Sequence, residues 1–154
     1  GETFFTLLAN AVGAALTAGL VLLTRFAEKT PVQGMDLALM ERAQNAMQAK
    51  LGDSLLSSFI LAVFCGILMF TAVEGSRRCA EKKNFVGGIF VVVMPIMVFI
   101  LSGFNHCVAD FFTYFLAGCP NPMRALLYFP MVILGNMVGG VLIPFFKRFS
   151  RNPL

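Results

Sequence analysis

Residues Phe85–Gly118 form a run of 34 in which the only ionisable side chains are His106, Cys107, Asp110 and Tyr114. As one straight α-helix this run would be about 51 Å long, whereas the hydrocarbon core of a bilayer is about 30 Å thick. A run of this kind must tilt, break or re-enter. Its middle reads Ser102-Gly103-Phe104-Asn105-His106, a glycine followed by residues that cap helices well. The pattern predicts a discontinuous helix: one half ending near Leu101, a short unwound link, and a second half from about Asn105. A single tilted helix kinked at Gly103 is the alternative.

Three further uncharged stretches, Thr3–Thr24, Ser54–Val73 and Ala125–Phe146, each reach the roughly 20 residues that a spanning helix needs. Composition agrees. The chain is 58% hydrophobic and 13% charged, with a mean hydropathy of +0.80, so it lacks the polar residues to clothe a soluble domain of 154 residues. Twelve basic residues and a net charge of +4 make no nucleic-acid surface. Cys65, Cys79, Cys107 and Cys119 are too far apart for a zinc site or a disulfide framework. No activated nucleophile, metal set, cofactor motif or nucleotide motif stands out, so an enzyme is not expected. The expectation is an all-α membrane protein with four spans, the third broken near Gly103.

Charge sets the orientation. Arg77, Arg78, Lys82 and Lys83 lie between the second and third spans, and Lys147, Arg148 and Arg151 follow the fourth; Arg124 alone lies between the third and fourth. Short basic loops stay on the cytoplasmic side, so both chain ends should be cytoplasmic. The first span has no charged n-region or small-residue cleavage site and reads as a span rather than a signal peptide. The Arg25–Lys50 connection then falls outside, with Met35–Leu51 as an amphipathic helix on the outer surface.

The first and last spans share a pattern. Leu8–Leu16 (LANAVGAAL) and Leu134–Leu142 (LGNMVGGVL) agree at Leu, Asn, Val, Gly and Leu. Small-residue membrane helices resemble one another because Gly and Ala permit close packing, which is the plain explanation. Yet the two spans run in opposite directions in this topology, as an inverted repeat requires. On that reading two further helices belong upstream of Gly1, and the chain is the C-terminal four of six.

This layout, together with Pro95–Asp110 (PIMVFILSGFNHCVAD), resembles the formate/nitrite transporter family. The family pattern around its central histidine is similar to S-G-F-[EN]-H-[CS]-[VI]-A-[ND], and here it runs from Ser102 to Asp110 without a gap. Pro95 and Phe99 sit where family members carry them, and the Asn-x-x-Gly of the first and last spans looks like that of the family's third and sixth helices. The resemblance implies an aquaporin-like, inverted-repeat helical bundle and a homopentamer with one pore per subunit in a bacterial-type plasma membrane. It implies passage of formate, nitrite, acetate, lactate or hydrosulfide, and no cofactor. By position, His106 is the central pore histidine, Phe99 part of a hydrophobic constriction, and Lys50 a lysine that draws anions toward the pore. Two residues depart from the family: Gly66 stands where an Asn is common, and Asp110 where Asn is more frequent.

The residues carry a reading of their own. His106 is the only histidine and lies in an apolar run, where a charge costs about 2.5–3.5 kcal/mol by insertion scales. A neutral imidazole bonded across a helix interface would satisfy it. The adjoining break suggests more, because the N-terminus of a half-helix offers unpaired N–H groups and positive partial charge to an anion. Asn105 lies in the same link. Asp110, four residues on, would share a helical face with His106 and could orient its ring, or could be a buried acid bonded to neighbouring spans. Lys50 could equally be a snorkelling lysine, and Tyr114 and Tyr128 suit interfacial positions. The function expected is a channel or carrier for small monovalent anions, with proton transfer from His106 as one route. A neutral-solute pore on the same fold and a non-transporting membrane scaffold or fragment are the rivals.

Overall fold

The computed structural model describes residues 2–24 and 38–151, and among them the regular elements are all helices. They are α1 (Glu2–Leu22), α2 (Leu39–Gly52), α3 (Leu55–Glu81), α4 (Phe85–Leu101), α5 (Cys107–Leu116) and α6 (Pro122–Arg151). Three of them, α1, α3 and α6, are long and apolar enough to cross a membrane; α4 and α5 are shorter apolar helices. The chain divides into two compact units. One holds α1, α2, α5 and the start of α6, and the other holds α3, α4 and α6 from Pro130 onward.

The expected break is present, and its chemistry is local. Residues 102–106 are non-helical, between the end of α4 at Leu101 and the start of α5 at Cys107. Gly103 takes a left-handed φ of 68°, which costs a residue without a Cβ nothing. Its N–H donates to the Ile100 carbonyl, and the Phe104 N–H donates to the Phe99 carbonyl at 3.1 Å. These two bonds make a Schellman cap, which satisfies carbonyls that a helix end otherwise leaves open. Gly118 closes α5 the same way, through Gly118 N–H to Phe115 and Cys119 N–H to Tyr114.

Other boundaries move from their expected places. The second span was expected to end at Val73, but α3 continues to Glu81, so Arg77 and Arg78 sit on its last turns rather than on a loop. An i, i+4 pair of Glu74 with Arg78 at 2.9 Å supports this extension. Asn84 then serves two helices: its N–H donates to the Cys79 carbonyl, and its Oδ1 accepts from the Gly87 N–H at 3.0 Å to cap α4. The last helix begins at Pro122, three residues before Ala125, because Asn121 caps it and Pro122 suits a first helical position. The helix expected over Met35–Leu51 is α2, which begins at Leu39; residues 35–37 lie outside the described residues.

In the first unit, α1 and α2 both pack on α5. The docked stripe of α1 centres on the buried Ala14 and Ala18, and α2 turns Ala43, Met47 and Leu51 inward at i, i+4, i+8. Phe129 joins this core, stacked on Phe111 at 4.5 Å and edge-on to Tyr114 and Tyr128. In the second unit, α3 packs on α4 and on α6. A Cβ at Gly139 would overlap the Val63 backbone, and one at Gly66 would overlap the Asn136 carbonyl oxygen. Only glycine lets these two helices approach so closely.

Candidate functional site

The sequence-derived site residues fall into two polar groups, one in each unit. The first surrounds the link. Phe99 lies in the last turn of α4, and its ring centroid is 5.7 Å from that of His106, tilted by 35°. Asn105 is buried, and its Nδ2 donates to the Ser58 carbonyl of α3 at 3.3 Å. Its own carbonyl accepts from Asn136 Nδ2 of α6 at 2.9 Å, and the same amide donates to the Ala62 carbonyl at 2.8 Å. Asn136 therefore ties the unwound backbone to α3 from α6. Non-helical backbone at membrane depth is tolerated only where protein or a wet cavity satisfies it, and this amide provides part of that. Two buried atoms of the group, Ser58 Oγ and Asn105 Oδ1, have no hydrogen-bond partner among the described residues.

The second group is charged. Asp110, in the first turn of α5 and 2% exposed, forms an ion pair with Lys50 of α2 through Oδ1 at 2.6 Å. Its Oδ2 accepts from the Tyr128 hydroxyl of α6 at 2.8 Å. Arg124 holds the end of α2 next to Lys50, its Nε donating to the Leu51 carbonyl at 2.9 Å and its Nη2 to the Asp53 carbonyl. A carboxylate in a first turn also suits the positive end of the helix dipole.

The structure thus brings Phe99, Asn105 and His106 together in one unit, and Lys50 and Asp110 together in the other. His106 stands one residue before α5, at the end of the non-helical link, and Asp110 lies in the first turn of that helix. Tyr128 and Tyr114 are both buried, 1% and 8% exposed. Buried phenols need a partner, and the Tyr128 hydroxyl finds one in Asp110. Sequence reasoning passed over Tyr128 and Arg124 as site residues and treated Asn136 only as part of a repeat. Its place in that repeat was the available signal; the other two gave none beyond being polar groups between apolar runs. Gly66 has a structural reason, since a side chain there would run into the α6 backbone.

Three helices long and apolar enough to cross a membrane, with polar groups buried among them, mark an integral membrane protein. The chain belongs to the formate/nitrite transporter family, which it matches over residues 2–147. It is 31% identical over 106 residues to the formate channel BtFdhC of Bacillus thuringiensis, across 67% of this chain and 40% of that protein. It is 35% identical over 65 residues to the formate channel FocA of Haemophilus influenzae, across 42% and 22% of the two chains. Formate-nitrite transporter 2 of Toxoplasma gondii is 29% identical over 90 residues, across 55% and 19%. These matches span less than half the length of each curated relative. No solved structure matches the chain.

Proposed function

We propose that the protein passes small monovalent anions, formate first, across a bacterial-type plasma membrane, with both ends of this chain on the cytoplasmic side. The observation that carries the reading is the capped break at Gly103, which leaves Asn105 and His106 on unwound backbone beside the Phe99 ring. Unwound backbone and an ionisable side chain are both costly in a bilayer and are tolerated inside protein or beside a polar pathway, and the pathway is the reading taken here. The names of the relatives point to the same substrate class. In this reading Phe99 strips water from the anion, and the start of α5 with His106 receives it. Proton transfer from His106 lets the neutral acid cross the apolar barrier more cheaply than the bare anion. An aquaporin-like inverted repeat, completed by helices upstream, and assembly as a homopentamer belong to the same proposal.

The test uses proteoliposomes of the full-length protein loaded with a pH dye and given a formate gradient. His106→Ala is expected to lower formate flux about tenfold or more, the scale of a lost general acid. His106→Asn keeps a hydrogen-bonding side chain but cannot exchange a proton, so any remaining formate flux should proceed without proton movement. Unchanged proton co-movement in His106→Asn ends the proton-donor step. Unchanged formate flux in His106→Ala, or a parent that passes only neutral solutes, ends the anion reading itself.

A further inference from the structure

In the second unit, α3 and α4 approach closely at Gly75, where an added Cβ would overlap the Val91 side chain. Beside this contact, toward the α3–α4 turn, lies an apolar groove of about 420 Å³. Ser76 and Ala80 line it from α3, and Gly88, Ile89 and Val92 from α4. Small residues keep it open: the nearest atom that a Cβ on Gly88 would meet is the Cys79 Cβ, at an ordinary 3.6 Å. Its edge is apolar and exposed, with Phe85 at 81% and Ile89 at 65%, as suits a surface that lipid covers.

The same end of the unit is cationic. Residues 74–83 hold four basic and two acidic side chains, a net charge of +2. Arg78 is engaged by Glu74, whereas the side chains of Arg77, Lys82 and Lys83 have no ion pair or hydrogen bond among the described residues. Arg77 follows Ser76 of the groove, and Lys83 precedes Asn84, which also lines it. Lys83 holds the left-handed position of a Schellman cap, with a φ of 54°. Its N–H donates to the Ala80 carbonyl at 3.0 Å, and the Asn84 N–H to the Cys79 carbonyl at 2.8 Å. Glycine is the usual residue there, so a lysine sets a charge beside the groove at some cost to the cap.

We propose that this groove binds an acyl chain of an anionic membrane phospholipid, whose phosphate is held by Lys83, Lys82 and Arg77. A chain of methylenes matches the apolar groove, and a phosphate matches the cations beside it. An uncharged lipid would leave the cations unanswered, and a free anion would make no use of the groove. Basic side chains with long apolar stems suit this place, because the stem follows apolar surface while the charge stays at the level of the headgroups. The lipid site lies wholly within the second unit and holds whatever solute the protein passes.

The test is native mass spectrometry of the full-length protein in a mild detergent, with phosphatidylglycerol or phosphatidylcholine of identical acyl chains added in turn. The parent is expected to prefer phosphatidylglycerol about twentyfold or more, as for two or more basic side chains at about fivefold each. Lys83→Gly suits the left-handed cap better than the parent. Its unfolding midpoint should hold or rise while its preference for phosphatidylglycerol falls about fivefold. Gly88→Leu keeps every charge but fills the groove, and should weaken retention of both lipids about tenfold, as for two displaced methylenes. Equal retention of the two lipids by the parent overturns the inference, as does an unchanged preference in Lys83→Gly. Full retention of phosphatidylglycerol in Gly88→Leu shows a headgroup held by surface charge alone and overturns it as well. A parent that retains neither lipid, the result if helices upstream or a second copy of the chain cover the groove, overturns it too. If Gly88→Leu does not assemble, dihexanoyl phosphatidylglycerol offered to the parent decides. The groove predicts retention at least about tenfold weaker than for the long-chain lipid, and equal retention overturns the inference.

Discussion

Leu8–Leu16 of α1 and Leu134–Leu142 of α6 share a sequence pattern but bury different faces. In α6 the Asn-x-x-Gly stripe is docked: Asn136 donates to two backbone carbonyls, and Gly139 touches the α3 backbone. In α1 the equivalent Asn10 is exposed, and a Cβ added at Gly13 would meet nothing within 4 Å. Instead α1 uses the neighbouring stripe, centred on Ala14 and Ala18, against α5. The difference teaches what the motif is for. An amide one turn from a glycine can reach an unwound backbone only when the glycine lets the helices come close. The same residues without such a partner are merely small and polar. A repeat in sequence therefore specifies a capacity for docking, and the neighbouring element decides whether it is used.

Four substitutions can break or sharpen this comparison, read as loss of unfolding free energy in detergent. The largest effect is expected from Gly139→Leu, which drives a side chain into the Val63 backbone and should cost about 3 kcal/mol, at the upper end for overpacking. Ala14→Leu should cost about 2 kcal/mol, because the docked stripe of α1 is the alanine one. An insensitive Ala14 would mean that α1 is held by another face. Asn136→Ala should cost about 1 kcal/mol, since it removes two hydrogen bonds of the modest strength found between membrane helices. Gly13→Leu, the mirror of the first substitution, should stay within about 0.5 kcal/mol as an exposed change. A Gly13→Leu loss approaching that of Gly139→Leu in the full-length protein would show that the first copy of the motif is docked there too. The repeat would then be functional on both sides.

The site divides in the same way between what a local pattern announces and what it hides. The break at Gly103 was legible because a Schellman cap is built from a few consecutive residues, and Ser102-Gly103-Phe104-Asn105 supplies them. The helix within Met35–Leu51 was legible from its spacing of apolar residues, and α2 from Leu39 is that helix. The extension of α3 to Glu81 was not, because hydropathy falls at Glu74 while helix geometry continues through the Glu74–Arg78 pair. The ion pair of Lys50 with Asp110 joins residues 60 apart, and Arg124 reaches α2 across more than 70. No spacing rule covers such distances.

By itself, then, the sequence determined the apolar helices, their caps, the place where the long run breaks and the histidine set beside that break. All of these follow from hydrophobic runs and from hydrogen bonds between near neighbours, which a few residues are enough to specify. Tertiary structure alone decided that Asp110 answers Lys50 and Tyr128, that Asn136 holds the unwound backbone of Asn105, and that Gly66 must have no side chain. Each of these depends on which helix faces come together. Where the spanning helices are apolar nearly all round, the hydrophobic pattern does not single out one face, so close fit and the satisfaction of a few buried polar groups make the choice.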